Sequence, residues 1–96
     1  MPALERTDLN YVLQVLETIR AIRKKHSACT LSELARYMRQ PKSMCHRSIN
    51  RLAEWKLVTW TEMPGSLRLT ELGGMAINRI KDGKIVSTEY WREKAG

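Results

Sequence analysis

From Asp8 to Lys25 the apolar residues Leu9, Val12, Leu13, Leu16, Ile19 and Ile22 return every three or four positions, with Asn10, Gln14, Glu17 and Arg20 between them. That period belongs to a helix with one apolar face. Tyr11 and Val15 lie off the main stripe. With Ile22 they form either a second apolar edge, for the C-terminal part or another subunit, or the margin of a wide stripe in a small core. In "TLSELARYM", Thr30 and Glu33 stand in the spacing by which two side chains satisfy the unpaired amides of a helix start, and Leu31, Leu34, Ala35 and Met38 share the inner face. This second helix stops before Pro41, because the residue preceding a proline is pushed out of helical geometry while proline suits a new first turn.

A third helix spans about 41–56, "PKSMCHRSINRLAEWK". Cys45, Ile49, Leu52 and Ala53 recur on one side; Lys42, Ser43, Met44, His46, Arg47, Asn50 and Arg51 fill the others. The period then changes to two, with "LVTWTE" and "SLRLT" flanking "MPGS", a Pro-Gly pair suited to a type II turn. This predicts a β-hairpin over 58–70. If Met63 and Ser66 close the turn, Trp60 pairs with Leu69 and Glu62 with Leu67, so Val58, Trp60, Leu67 and Leu69 face the core while Thr59, Thr61 and Arg68 face away. Thr70 caps a fourth helix from Glu71 to Lys81, whose apolar side is Leu72, Met75, Ala76, Ile77 and Ile80, and Asp82-Gly83 ends it. Gly73 and Gly74 each weaken that helix by roughly 1 kcal/mol relative to alanine, which implies close approach to another backbone. The tail, 83–96, has no readable period, and no repeat or low-complexity stretch occurs.

Helix, helix, turn, helix, hairpin is the order of a winged helix-turn-helix. The expected fold is therefore mainly α (α+β): a three-helix core, a β-hairpin wing and a C-terminal helix in one domain of 96 residues, with its core at about 8–82. Charge sharpens the picture. The formal net charge is +7, and residues 31–56 carry an excess of four cations through Arg36, Arg39, Lys42, Arg47, Arg51 and Lys56 against Glu33 and Glu54. Such a field favours a polyanion. No apolar run approaches the roughly 20 residues needed to cross a bilayer. Cys29 and Cys45 lack metal-type spacing, and the absence of a basic-plus-apolar leader pattern argues for reduced thiols in a cytoplasmic protein.

A helix anchored on one side and lined with donors on the other is what a major groove accepts. Lys42, Arg39 and Arg51 suit phosphates, Arg47 suits base-edge acceptors, Asn50 can pair with adenine, and His46 can donate or accept. Ser43 and the free amides near it could hold a phosphate. The bland reading is a solvated polar face; the basic bias and the adjacent hairpin tip the balance.

The stretch "TLSELARYMRQPKSMCHRSINRLAEWKLV" resembles the N-terminal DNA-binding domain of IclR-type transcriptional regulators, through "LSELAR", "PKS", "HR" and "LV". After the hairpin, "LRLTELGGMAI" is similar to MarR-type winged helices. The resemblance implies sequence-specific binding of double-stranded DNA, with Lys42, Ser43, Met44, His46, Arg47, Asn50 and Arg51 facing the groove and Arg68 as a wing contact. Two departures stand out. Where the family has glycine and an apolar residue before the proline, this chain has Arg39 and Gln40, which puts the angle between the helices in question. The large ligand-binding domain of IclR-type proteins is also missing, so no small-molecule effector is implied.

Other chemistries fare worse. His26, Cys29, Cys45 and His46 form no tetrahedral pattern, so no metal is expected, and Cys45 reads as a small core residue. No acid–base pair, activated nucleophile or phosphate loop emerges, so neither an enzyme nor a cofactor is expected. Trp55, Trp60 and Trp91 could stack on unpaired bases, but Trp60 is placed inward and Trp55 abuts Leu57-Val58, which favours structural roles. The leading expectation is a homodimeric regulator on duplex DNA, and the alternative is a winged-helix module docking on an acidic protein in a transcription or replication assembly.

Overall fold

In a computed structural model, which describes residues 9–63 and 65–95, the opening 3.6-residue stripe becomes helix α1 (Leu9–His26). The expected start at Asp8 lies outside the described residues. Val12, Val15, Leu16, Ile19 and Ile22 are buried, while Leu13 is only half-buried. Val15 and Ile22 thus belong to the chain's own core, as a wide stripe requires, while Tyr11 is half-buried.

Two residues that alternation alone did not reveal, Cys29–Thr30, form a short strand, β1, immediately before helix α2 (Leu31–Met38). The capping pair forms as the spacing requires. Glu33 N donates to Thr30 Oγ1 at 3.1 Å, and Thr30 N donates to Glu33 Oε1 at 3.2 Å. Leu31, Leu34, Ala35 and Met38 are all buried. Helix α2 ends on Arg39 with φ +57°, where Gln40 N reaches back to Ala35 O and Arg39 N to Arg36 O. These two bonds satisfy the last carbonyls, in a left-handed cap that normally takes glycine. Helix α3 (Lys42–Glu54) begins after Pro41 and ends in the same way on Lys56 at φ +66°, with Leu57 N bonded to Leu52 O.

Strands β2 (Val58–Trp60) and β3 (Ser66–Leu69) form the hairpin, and β3 also pairs with β1, giving a three-stranded antiparallel sheet in the order β1-β3-β2. The register departs from expectation by two residues: Trp60 pairs with Leu67 and Val58 with Leu69. The cause is a longer loop. Thr61 N bonds Ser66 O, while the Thr61 hydroxyl accepts from Met63 N at 3.2 Å and stabilises the extra residues. Gly65 at φ +75° and the Ser66 N to Met63 O bond supply what a type II turn needs at those positions; Pro64 lies outside the described residues. Because side chains alternate with period two, a shift of two leaves each residue on its expected face. Trp60 nevertheless is 39% exposed, not inward. Its strand is an outer one of the sheet, and its partner Leu67 on the central strand is the one that is fully buried.

Helix α4 (Glu71–Lys81) starts at Thr70, whose hydroxyl accepts from Gly73 N at 3.0 Å and donates to Lys56 O. Thr70 N also donates to Leu57 O at 3.0 Å, so the start of α4 is bonded to the exit of α3. Only glycine fits at 73: a Cβ there would overlap the Leu57 carbonyl oxygen and lie 3.4 Å from Leu69 Cβ. This contact also corrects the expected apolar face. Docking through Gly73, Ala76 and Ile77 turns Leu72 and Met75 outward, leaving them 52% and 39% exposed. The tail adds a helix, α5 (Glu89–Ala95), and reaches the core after all, since Ile85 and Trp91 are buried. Trp91 stacks on Trp55 with ring centroids 5.4 Å apart. Among the described residues no helix is long and apolar enough to cross a membrane.

Candidate functional site

Helix α3 has two sides. Cys45, Ser48, Ile49 and Leu52 are buried against the core, and His46, Arg47, Asn50 and Arg51 are exposed along the opposite side. Lys42 and Ser43 are exposed at its start, Arg39 just before it and Arg68 on the hairpin; Met44 is half-buried. The nine residues singled out in the sequence thus lie on α3, the turn before it and the adjoining strand. Met44 is the one among them that is not fully exposed.

Pro41 caps α3 with no side-chain hydrogen bond. The first amides therefore point out of the helix end without a side-chain acceptor, in the positive field of the helix dipole. The ion pairs Lys81–Glu17 and Arg92–Glu89 lie away from this surface. Among the described residues none joins Arg39, Lys42, Arg47, Arg51 or Arg68 to a carboxylate. A run of cations without internal counter-charge holds mobile counterions, which a polyanion releases on binding.

The α2–α3 angle, left open by Arg39 and Gln40, is set by polar contacts. The Tyr11 hydroxyl donates to Gln40 Oε1 at 2.9 Å and lies 3.0 Å from Ser48 Oγ. With its proton on Gln40, Tyr11 accepts from Ser48. Cys45 Sγ also approaches Gln40 Oε1, at 3.6 Å. One residue from α1 thus ties the turn to α3, and buried Ser48 is satisfied. The hairpin is held as firmly: Arg23 Nη1 of α1 donates to Leu67 O at 3.1 Å, and Leu31 N donates to Gly65 O at 3.2 Å.

Sequence reasoning weighs Trp60 for stacking on unpaired bases but places it inward in a structural role. Its ring lies 6.4 Å from that of His46, and with Lys42 it borders a shallow cavity of about 320 Å³ between the hairpin and the start of α2. Strand alternation marks Trp60 as inward, and on that ground the structural role is preferred over base stacking. Lys56 was counted only as charge; its left-handed backbone is a strained position that glycine would fill more cheaply.

No family model, curated protein or solved structure matches this chain. The functional reading therefore rests on the chemistry of the surface.

Two other groups of residues do not form sites. Cys29 and Cys45 are free and buried; burial, aided by the nearby Glu33 and opposed by Arg23, pushes the Cys29 thiol up to about 11. Burial raises Cys45 as well. A thiol with so little thiolate at neutral pH is a poor nucleophile. Among the described residues no three His, Cys, Asp or Glu side chains gather in a way that could hold a metal ion.

Proposed function

We propose that this chain is a winged helix-turn-helix protein that binds double-stranded DNA sequence-specifically and regulates transcription. Helix α3 enters the major groove, and the hairpin carrying Arg68 lies on the flanking backbone. The observation that supports this reading best is the division of α3 into a buried face and a continuous exposed face bearing His46, Arg47, Asn50 and Arg51. A groove about 12 Å wide accepts one helix with its side chains, and a helix of 13 residues can lie along it for about 20 Å. Arg47 reads guanine edges and Asn50 adenine; Lys42, Arg39 and the first amides of α3 hold phosphates. The resemblance of residues 30–58 to IclR-type domains, and of 67–77 to MarR-type ones, points the same way.

Pairing completes the reading. One module of this kind covers only about 600 to 1,000 Å² on DNA, so a homodimer on half-sites about 10 bp apart, or a multiple of that, supplies the specificity a regulator needs.

The test is selection of bound fragments from a random duplex library, followed by gel shifts with variants on the selected site. A palindromic consensus is expected, bound with two chains per site. Arg47→Ala and Asn50→Ala should each weaken the selected site by about 1 to 3 kcal/mol and relax base preference, whereas Lys42→Ala should weaken all duplexes alike and flatten the salt dependence. Equal losses on selected and random DNA for all three would refute base reading. Failure to retain any duplex in moderate salt would transfer the surface to an acidic protein partner.

A further inference from the structure

Trp60 stands apart from the other two tryptophans. Trp55 and Trp91 are 7% and 5% exposed and stack on each other, whereas Trp60 is 39% exposed on the hairpin, beside the helix that carries the cations. An indole left partly in water at the edge of a sheet forgoes hydrophobic free energy that a partner would recover. His46 flanks it from α3, with the ring planes tilted by 42°, but does not line the cavity that the indole borders. That cavity of about 320 Å³ lies between the hairpin and the starts of α2 and α3. It stands at the lower end of the roughly 300 to 1,000 Å³ that small-ligand pockets span, so it suits one planar ring, not a helix or a strand.

Each side of this pocket has a use for a nucleotide. Trp60 offers an aromatic surface, and Leu31 closes the floor. The Ser32 hydroxyl, exposed at the rim, makes no hydrogen bond to any described residue and can donate to or accept from a base edge. Lys42 is exposed and joined to no carboxylate among the described residues, and the amides at the start of α3 lie beside it without a side-chain cap. The described residues that line the pocket include no acid. An exposed indole next to an unpaired cation is how proteins hold an unpaired nucleotide, the ring on the base and the charge on the phosphate.

The bases of a paired duplex present only their edges, and drawing one out costs least where it is already unpaired. We propose that this pocket takes one unpaired nucleobase, stacked on Trp60 with its phosphate on Lys42, so that the protein prefers a duplex interrupted by an extrahelical nucleotide. The placement of that interruption, on the hairpin side of α3, rests on the reading of α3 as the groove helix. The stacking does not, since a single strand delivers a base without any groove.

The probes are a duplex with one unpaired thymidine, its fully paired counterpart and a short oligothymidylate. Affinity for the full chain is measured by fluorescence anisotropy at low salt, and the indole Nε1–H signal of Trp60 by ¹⁵N NMR. The interrupted duplex should bind about tenfold more tightly than the paired one, within the range that one stacked base contributes. Both it and the oligothymidylate should shift the Trp60 indole signal. Trp60→Leu should abolish the tenfold preference and leave the paired duplex bound as before, and Trp60→Phe, which keeps a ring, should retain part of the preference. Equal affinity for the two duplexes, or a Trp60→Leu loss shared equally by both, would overturn the proposal while leaving groove binding intact. If neither duplex binds and the oligothymidylate still moves the indole signal, the pocket stands and the groove reading fails. An indole signal that no probe moves would overturn the pocket, and this measurement needs no variant to fold.

Discussion

Adjacent glycines at the start of α4 offer one substitution with two opposite outcomes. Replacing glycine by alanine within a helix gains about 0.5 to 1 kcal/mol by restricting the unfolded chain. At Gly74 nothing lies within 4 Å of the new Cβ, so Gly74→Ala should stabilise the protein by that amount. At Gly73 the Cβ would overlap the Leu57 carbonyl oxygen, which is backbone and cannot swing aside. Helix α4 must retreat, stretching the Thr70 N to Leu57 O bond and the Thr70 hydroxyl bond to Lys56 O. Overpacking of this kind costs about 1 to 3 kcal/mol and a compromised cap about 1 more, which outweighs the propensity gain. The two variants should differ by about 2 to 4 kcal/mol, or roughly 10 to 25 °C in Tm for a domain of this size. Urea and thermal unfolding followed by tryptophan fluorescence measure both, since Trp55 lies at the same junction. A Gly73→Ala protein as stable as Gly74→Ala would show that α4 does not dock on Leu57 as described.

Arg39 and Lys56 should behave as charged residues held in a glycine's conformation. Changing either to glycine is expected to raise stability by about 0.5 to 1 kcal/mol in urea titrations; Arg39→Gly should at the same time lower affinity for all duplexes if the proposed function holds. Tyr11→Phe removes the donor to Gln40 and the acceptor for Ser48, and should cost about 1 to 2 kcal/mol. In the double variant with Ser48→Ala the loss should fall short of the sum of the single losses, and strict additivity would mean the two side chains are not coupled. The raised Cys29 thiol makes the folded state hold its proton more tightly than the unfolded one. Its contribution is thus complete below about pH 9 and fades as pH rises toward 11, by on the order of 2 to 3 kcal/mol. Subtracting the pH dependence of Cys29→Ala from that of the unaltered chain isolates this term, and a flat difference between pH 8 and 11 would contradict it.

Periodicity located α1 to α4, and three of the four have boundary signals as well: the Thr30–Glu33 pair for α2, Pro41 between α2 and α3, and Thr70 and Asp82-Gly83 for α4. It also separated the buried from the exposed residues of α3, where the division is a matter of 100° steps. What it missed depends on contacts between distant residues. β1 is two residues long and exists only because β3 lies beside it. The outward turn of Leu72 and Met75 follows from the Leu57 carbonyl, which nothing in "ELGGMAI" encodes beyond the glycine itself. Trp60 obeys the alternation yet emerges into solvent, since a strand's period tells which face a side chain takes but not that the strand is an outer one of its sheet. The tail had no period because its anchoring is two isolated residues, Ile85 and Trp91, the latter stacked on the distant Trp55.

The short strand between α1 and α2 has a mechanical consequence. By pairing with β3 it makes the hairpin part of the same main-chain lattice as the helices, and Arg23 adds a strut from α1 to that lattice. The hairpin is therefore no loose flap, and its offset from the outer side of α3 is built in. Whatever molecule spans the two must conform to that fixed spacing, so the cost of any bending falls on the visitor.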